Sequence, residues 1–198
     1  MGLPLSPFTF LEATVRLKPF SCFAATEVIT EELEQELLAW FESEAPWRLA
    51  VMDFYEQYEF DFRDANLPAK LASLTSENTL NELRQTVGTL LKASLKPQVD
   101  VTAHKLTQSQ RIRIHNDARP DGETHRLLLQ LNRDWSEANG GLLMLFNGPE
   151  VEMLEDVILP ISRSSFGFEI SISSFHAVSQ VYAGDRYTIV YSFYAQST

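Results

Sequence analysis

The chain has 198 residues, 44% of them hydrophobic and 22% charged, which suits one domain with a sizeable core. A net charge of −11 argues against bulk binding to nucleic acid, and a lone cysteine, Cys22, excludes an internal disulfide or a cysteine-based zinc site. That cysteine usage fits a reducing, cytoplasmic setting, and no apolar run is long enough to cross a bilayer.

The start, MGLPLSPFTF, lacks the basic and long apolar regions of a secretory signal. It matches a short lipidation pattern through Gly2 and Ser6, a pattern that also occurs widely without use. Between Glu27 and Asp64 stand twelve acidic residues against only Arg48 and Arg63. A solvated surface is the plain account of that run, and attraction for a basic peptide is the functional one. Residues 30–44 repeat apolar side chains at a helical period, with Thr30 as cap and Pro46 beyond the end. Residues 47–62 are rich in aromatics and acids and read as a hairpin packed on the helices, with Tyr55, Tyr58 and Phe60 as alternative groove-lining residues. Residues 76–95 form a second helical pattern, capped by Ser76, weakened by Gly88 and stopped by Pro97.

After Pro97 the texture changes. VDVTAHKL, RIRIH, HRLLLQL, GLLMLF, VEMLEDVIL, FGFEISI and RYTIVYSFY are short, β-branched or aromatic, and separated by turn residues. The expected class is mostly β with α: a jelly roll of two antiparallel sheets, with the N-terminal helices packed on one outer face. One domain is expected, with residues 1–97 as helical support and residues 98–198 as the jelly-roll core that carries the site.

Side chains two apart on a strand share a face, so His115 and Asp117 can aim an imidazole and a carboxylate at one point. The plain account of such a pair is a hydrogen-bonded turn. A third ligand must come from elsewhere, and the other histidines are His104, His125 and His176. His176 follows the strand FGFEISI, where a strand on the opposite side of the roll would end. Two histidines and one carboxylate leave three coordination positions open, which suits non-haem Fe(II). Arg186 opens the last strand pattern. Inside an apolar roll it needs an anion, and no acid alternates suitably along that strand, so a small dicarboxylate is an economical partner. Thr188 shares its face and adds a hydroxyl.

The stretches RIHNDA, QLNRDW, Gly140-Gly141, SSFHAV and GDRYTIVYSFY come in the order seen in the iron(II)- and 2-oxoglutarate-dependent dioxygenases. The C-terminal half, residues 99–194, resembles the prolyl-4-hydroxylase-like branch of that family. The resemblance implies that His115, Asp117 and His176 bind Fe(II) as the catalytic metal. It also implies that Arg186 binds the distal carboxylate of 2-oxoglutarate, assisted by Thr188. The implied reaction is hydroxylation of an unactivated C–H bond by dioxygen, with release of succinate and CO2. Asp117 occupies the position that a halide would need, which disfavours halogenation. Four positions depart from the family pattern: Leu106 replaces a common tyrosine, Ser109 a glycine, Leu142 an acid, and Arg186 the branch's lysine.

The remaining candidates carry plainer expectations. His104 is expected in the core or as a contact behind the metal, and His125 near a turn. Arg126 is expected in a surface ion pair, with a place at the site mouth as the alternative. Residues 116–125 form a loop that leaves the metal strand and is suited to a lid. The expected function is hydroxylation of an amino-acid side chain in a peptide or protein, including peptide tailoring, with a free amino acid left open. Neither nucleic acid nor membrane is an expected partner. The alternative is a cupin-like metal-binding or sensor module without oxidative chemistry, which would have no use for Arg186 at that spacing.

Overall fold

The computed structural model describes residues 6–196, so Gly2 of the lipidation pattern lies outside the described residues. Two antiparallel sheets face each other. The chain runs through β1 (Thr14–Arg16), β2 (Cys22–Ala25), α1 (Glu31–Ser43), β3 (Arg48–Val51), β4 (Glu56–Asp61) and α2 (Glu77–Leu90). It continues through β5 (Leu95–Leu106), β6 (Ile112–His115), β7 (His125–Gln130) and β8 (Leu143–Phe146). It closes with β9 (Leu154–Ile158), β10 (Ser165–Glu169), β11 (His176–Val178) and β12 (Arg186–Ala195). The large sheet has the order β1-β2-β10-β7-β12-β5-β4-β3, and the small one β6-β11-β8-β9. No described helix is long and apolar enough to cross a membrane.

Residues 1–97 hold the two expected helices and, in addition, strands β1 to β4, which extend the large sheet at both edges. Thr30 caps α1 by accepting from the Leu33 amide at 3.3 Å, and three glutamates in the first turn complement the helix dipole. Ser76 caps α2 through the Thr79 amide. That helix ends earlier than its apolar pattern. Lys92 takes a left-handed φ of 56°, and the Ala93 amide turns back to the Gly88 carbonyl at 2.8 Å. Gly88 is required there, because a Cβ would stand 2.7 Å from the Ala93 oxygen.

Strand alternation divides the large sheet into two functional faces. Ile189, Tyr191 and Phe193 of β12 join Leu127, Leu129, Val101 and Ala103 in one buried cluster. Leu37, Trp40 and Phe41 of α1 and Leu83 and Val87 of α2 belong to that same cluster. Each such buried side chain contributes roughly 1.5–3 kcal/mol relative to exposure. The residues between them face the small sheet. Val190 and Leu128 meet Leu143, Leu145, Phe166 and Phe168 in a second cluster. The polar members of that inner face, including Arg126, Gln130, Arg186 and Thr188, therefore stand between two apolar floors.

Candidate metal and dicarboxylate site

His115 ends β6 and His176 begins β11, and the two are direct cross-strand partners on the small sheet. Their rings lie 4.2 Å apart, centre to centre. Asp117 reaches the same point by a different route from simple strand alternation. The strand has already ended, and Asp117 takes a left-handed φ of 57°. Asn116 supports the turn by accepting from the Ala118 amide at 3.1 Å. One carboxylate oxygen, Oδ2 of Asp117, then stands 3.3 Å from His115 Nε2 and 3.2 Å from His176 Nε2. Possible ligand atoms of the three residues all lie within 4.8 Å of one another.

Backbone carbonyls fix the ring tautomers. His115 Nδ1 donates to the Arg113 carbonyl at 2.8 Å, and His176 Nδ1 to the Ser174 carbonyl at 2.9 Å. Each Nε2 therefore turns a lone pair toward the point that the Asp117 carboxylate also faces. Burial pushes the His176 imidazole pKa down, so protonation there is disfavoured. Burial would raise the Asp117 carboxyl, but the Arg126 guanidinium beside it acts in the opposite direction, and the group stays well below the usual carboxylate range. A cation is the natural occupant of three such converging acceptors. Phe54 stacks on His115 at 4.4 Å, and Phe168 meets His176 edge-on at 5.0 Å, which fixes both rings in place.

Arg126 corrects the expectation of a surface ion pair. It lies on the inner face, donates from Nη1 to Asp117 Oδ2 at 2.7 Å, and forks onto Glu123 through Nε and Nη2. Its charge is thus matched by two carboxylates, one of them in the His–Asp–His cluster.

Arg186 is almost fully buried, at 4% exposure, and Thr188 at 3%. Arg186 Nε donates to the Gly141 carbonyl at 2.7 Å, and Nη1 donates to Thr188 Oγ1 at 2.7 Å. The Thr188 hydroxyl in turn donates to Gln130 Oε1 at 3.0 Å. Nη2 is buried with no partner, and no carboxylate among the described residues pairs with this guanidinium. Burial lowers its pKa to about 10, which still leaves it charged at neutral pH. The Gly140-Gly141 pair makes this approach possible. Both residues have positive φ, and a Cβ on Gly141 would stand 2.9 Å from Arg186 Cδ. The QLNRDW stretch holds the same corner. Asn132 accepts from the Tyr187 amide at 2.7 Å, and Trp135 donates to the Gly140 carbonyl at 2.8 Å.

Neither a family model nor a curated protein matches this chain. Solved structures do. A Pseudomonas putida prolyl-4-hydroxylase superposes with a TM-score of 0.72 at 16% identity, covering 89% of this chain and 93% of that one. A prolyl hydroxylase from Trichoplax adhaerens, solved with a hypoxia-inducible-factor peptide, gives 0.71 at 16% identity over 88% and 83%. The viral collagen prolyl hydroxylase of Paramecium Bursaria Chlorella virus-1, solved with 2-oxoglutarate, gives 0.65 at 13% identity over 88% and 96%. The fold is that of the prolyl-4-hydroxylases. The jelly roll expected from the sequence is their double-stranded β-helix.

Within this prolyl-4-hydroxylase fold, a cavity of about 450 Å³ joins the His–Asp–His cluster to Arg186. Leu106 lines it. His104 also lines it and contacts Thr102 at 3.2 Å, and burial lowers its pKa to about 3. His125 begins β7, pairs with the Thr124 hydroxyl at 2.9 Å, and is pushed down to about 4 by burial. Neither histidine belongs to the converging cluster. The aromatic hairpin separates by parity. Phe60 packs with Trp40 and Trp47, and Tyr58 sits under the Lys105 ammonium, whereas Tyr55 lines the cavity. Gln57 and Glu59 line it beside Tyr55. Sequence reasoning missed both, although the period-two rule on YEQYEF separates Tyr55, Gln57 and Glu59 from Tyr58 and Phe60.

Proposed function

We propose that the protein is an Fe(II)- and 2-oxoglutarate-dependent dioxygenase that hydroxylates an amino-acid side chain in a peptide or protein. The observation that carries this reading is the unpartnered, buried Nη2 of Arg186, in the same cavity as three converging metal-type ligands. A buried guanidinium without an acid is costly unless a ligand brings one. The donor set fits the expected groups. His115, Asp117 and His176 would hold Fe(II), and Arg186 with Thr188 would hold the distal carboxylate of 2-oxoglutarate. When bound, these groups supply oxidation of a C–H bond by dioxygen, with decarboxylation of 2-oxoglutarate to succinate.

The chain's own residues do the rest. The Arg113 and Ser174 carbonyls keep the imidazole tautomers suited to ligation. Arg126 keeps Asp117 ionised and oriented. Gly141 lets Arg186 lie flat against the cavity wall, and Thr188 and Gln130 fix its tilt. Phe168, Leu143 and Val190 line the cavity with apolar surface that keeps water from the reacting bond. The acidic run from Glu27 to Asp64 supports a cationic peptide as substrate, in line with peptide tailoring.

The test is direct. Purified protein is supplied with Fe(II), 2-oxoglutarate and oxygen, and succinate is measured. Mn(II) and 2-oxoglutarate are titrated separately by thermal melting. Metal-dependent binding of 2-oxoglutarate that Arg186→Met removes supports the proposal. Tight metal binding with no effect of 2-oxoglutarate would favour the cupin-like module.

A further inference from the structure

We infer that Gln57 and Glu59 form the substrate-side subsite of this cavity and accept a cationic nitrogen group, the ammonium or guanidinium of a basic side chain. The inference rests on the dioxygenase reading and names its substrate class. Four observations carry it.

The first is position. Phe54 stacks on His115, and from there the chain leads into β4, with Tyr55, Gln57 and Glu59 all lining the cavity. Glu59 is the cross-strand partner of His104, His104 of Thr188, and Thr188 of Gln130. The row of inward residues therefore begins at Glu59 and passes through the Thr188 that touches Arg186. The second is an unmatched charge. Glu59 forms no ion pair among the described residues, and its hydrogen bond is to Gln57 Nε2, at 2.8 Å. Arg126 is committed to Asp117 and Glu123, and Arg119, exposed near the rim, makes no ion pair with Glu59.

The third is an unmatched acceptor. Gln57 is only 2% exposed, and its Oε1 has no hydrogen-bond partner. Nε2 donates to Glu59, which leaves Oε1, an acceptor only, open to a donor. A carboxylate and an amide oxygen side by side suit a group with several N–H donors and a positive charge. A neutral apolar side chain filling the cavity would strand both acceptors, and a substrate carboxylate would be repelled. The fourth is the local field. β4 itself carries three acids, Glu56, Glu59 and Asp61, and no base, and Glu56 like Glu59 forms no ion pair among the described residues, so this edge of the sheet favours a cation.

The experiment uses the full chain loaded with Mn(II) and 2-oxoglutarate. Two blocked tripeptides, Gly-Lys-Gly and its norleucine counterpart, are titrated by calorimetry or NMR. The lysine peptide is expected to bind about 10- to 100-fold more tightly, as a charge-assisted contact in a cavity should. Glu59→Gln should erase the difference, and Glu59→Lys should reverse the preference toward a Gly-Glu-Gly peptide. Melting curves of the variants check that they fold. Equal affinity of the two peptides, failure of both to bind, or a difference that survives Glu59→Gln overturns the subsite. Titrations of Mn(II) and 2-oxoglutarate without peptide separate the two ideas. Failure there refutes the dioxygenase reading, whereas success there with unselective peptide binding refutes the subsite alone.

Discussion

Two arginines face one cavity and have opposite surroundings. Arg126 is held by Asp117 and Glu123, so its charge is balanced within the protein. Arg186 touches a carbonyl and a hydroxyl, keeps one nitrogen unpartnered, and has no acid. A satisfied buried charge organises its neighbours. An unsatisfied one marks where a partner from outside belongs.

The largest contrast should come from removing each guanidinium in turn. Arg186→Met should raise the KM for 2-oxoglutarate about 100-fold, the worth of a charge-assisted contact in a dry site. It should leave the ligand-free protein as stable as before, or more stable by up to about 2 kcal/mol, because an unbalanced charge is gone. Arg126→Met should do the reverse. It strands Asp117, at 10% side-chain exposure, and the half-buried Glu123, and should cost about 3–5 kcal/mol, read by urea unfolding without metal. If Arg186→Met destabilised the ligand-free fold as strongly as Arg126→Met, the two arginines would share one structural role and the contrast would fail.

A smaller effect should sharpen it. Gly141→Ala forces a Cβ against Arg186 Cδ at a left-handed φ and should cost about 1–3 kcal/mol. Its affinity for 2-oxoglutarate should fall, while Mn(II) affinity, set on the other sheet, stays. A weakened metal site in this variant would mean that the two ends of the cavity are coupled.

The effect confined to acid pH concerns His125, the neighbour of Arg126 on β7. Its pKa is about 4 in the fold, against an ordinary 6.5. Between those values the unfolded chain takes a proton that the folded chain refuses, so stability falls as pH drops through that window. The loss is complete below about pH 4 and amounts to at most about 3 kcal/mol. His125→Gln should flatten the melting temperature over the same range. An unchanged acid slope would place the effect elsewhere.

Much of this was legible in the sequence. Spacing offered His115 with Asp117 and Arg186 with Thr188, the resemblance to the dioxygenases singled out His176 as third ligand, and the run of short strands gave the double sheet. Other features were hidden for identifiable reasons. Asp117 reaches the cluster through a left-handed turn, and such a backbone state leaves little trace in an Asn-Asp-Ala string. Arg126 joins the site only because that turn brings the carboxylate back over β7, so its partner lay nine residues away in a loop. β1 and β2 are three and four residues long, too short for a period to emerge. The α2 terminus was overrun because apolar periodicity continues past Leu90, while Lys92 turns the chain.

The last strand carries Tyr187, Ile189, Tyr191 and Phe193 on one side and the guanidinium and hydroxyl on the other. Its phase is thus a switch with no intermediate setting. Slipping one extra residue into the turn before Arg186 would send Tyr187, Ile189 and Tyr191 into the chamber and drive the positive charge under the helices. Changes of substrate in this chain are accordingly open at β4 and at 118–122, and frozen to whole-residue pairs along β12.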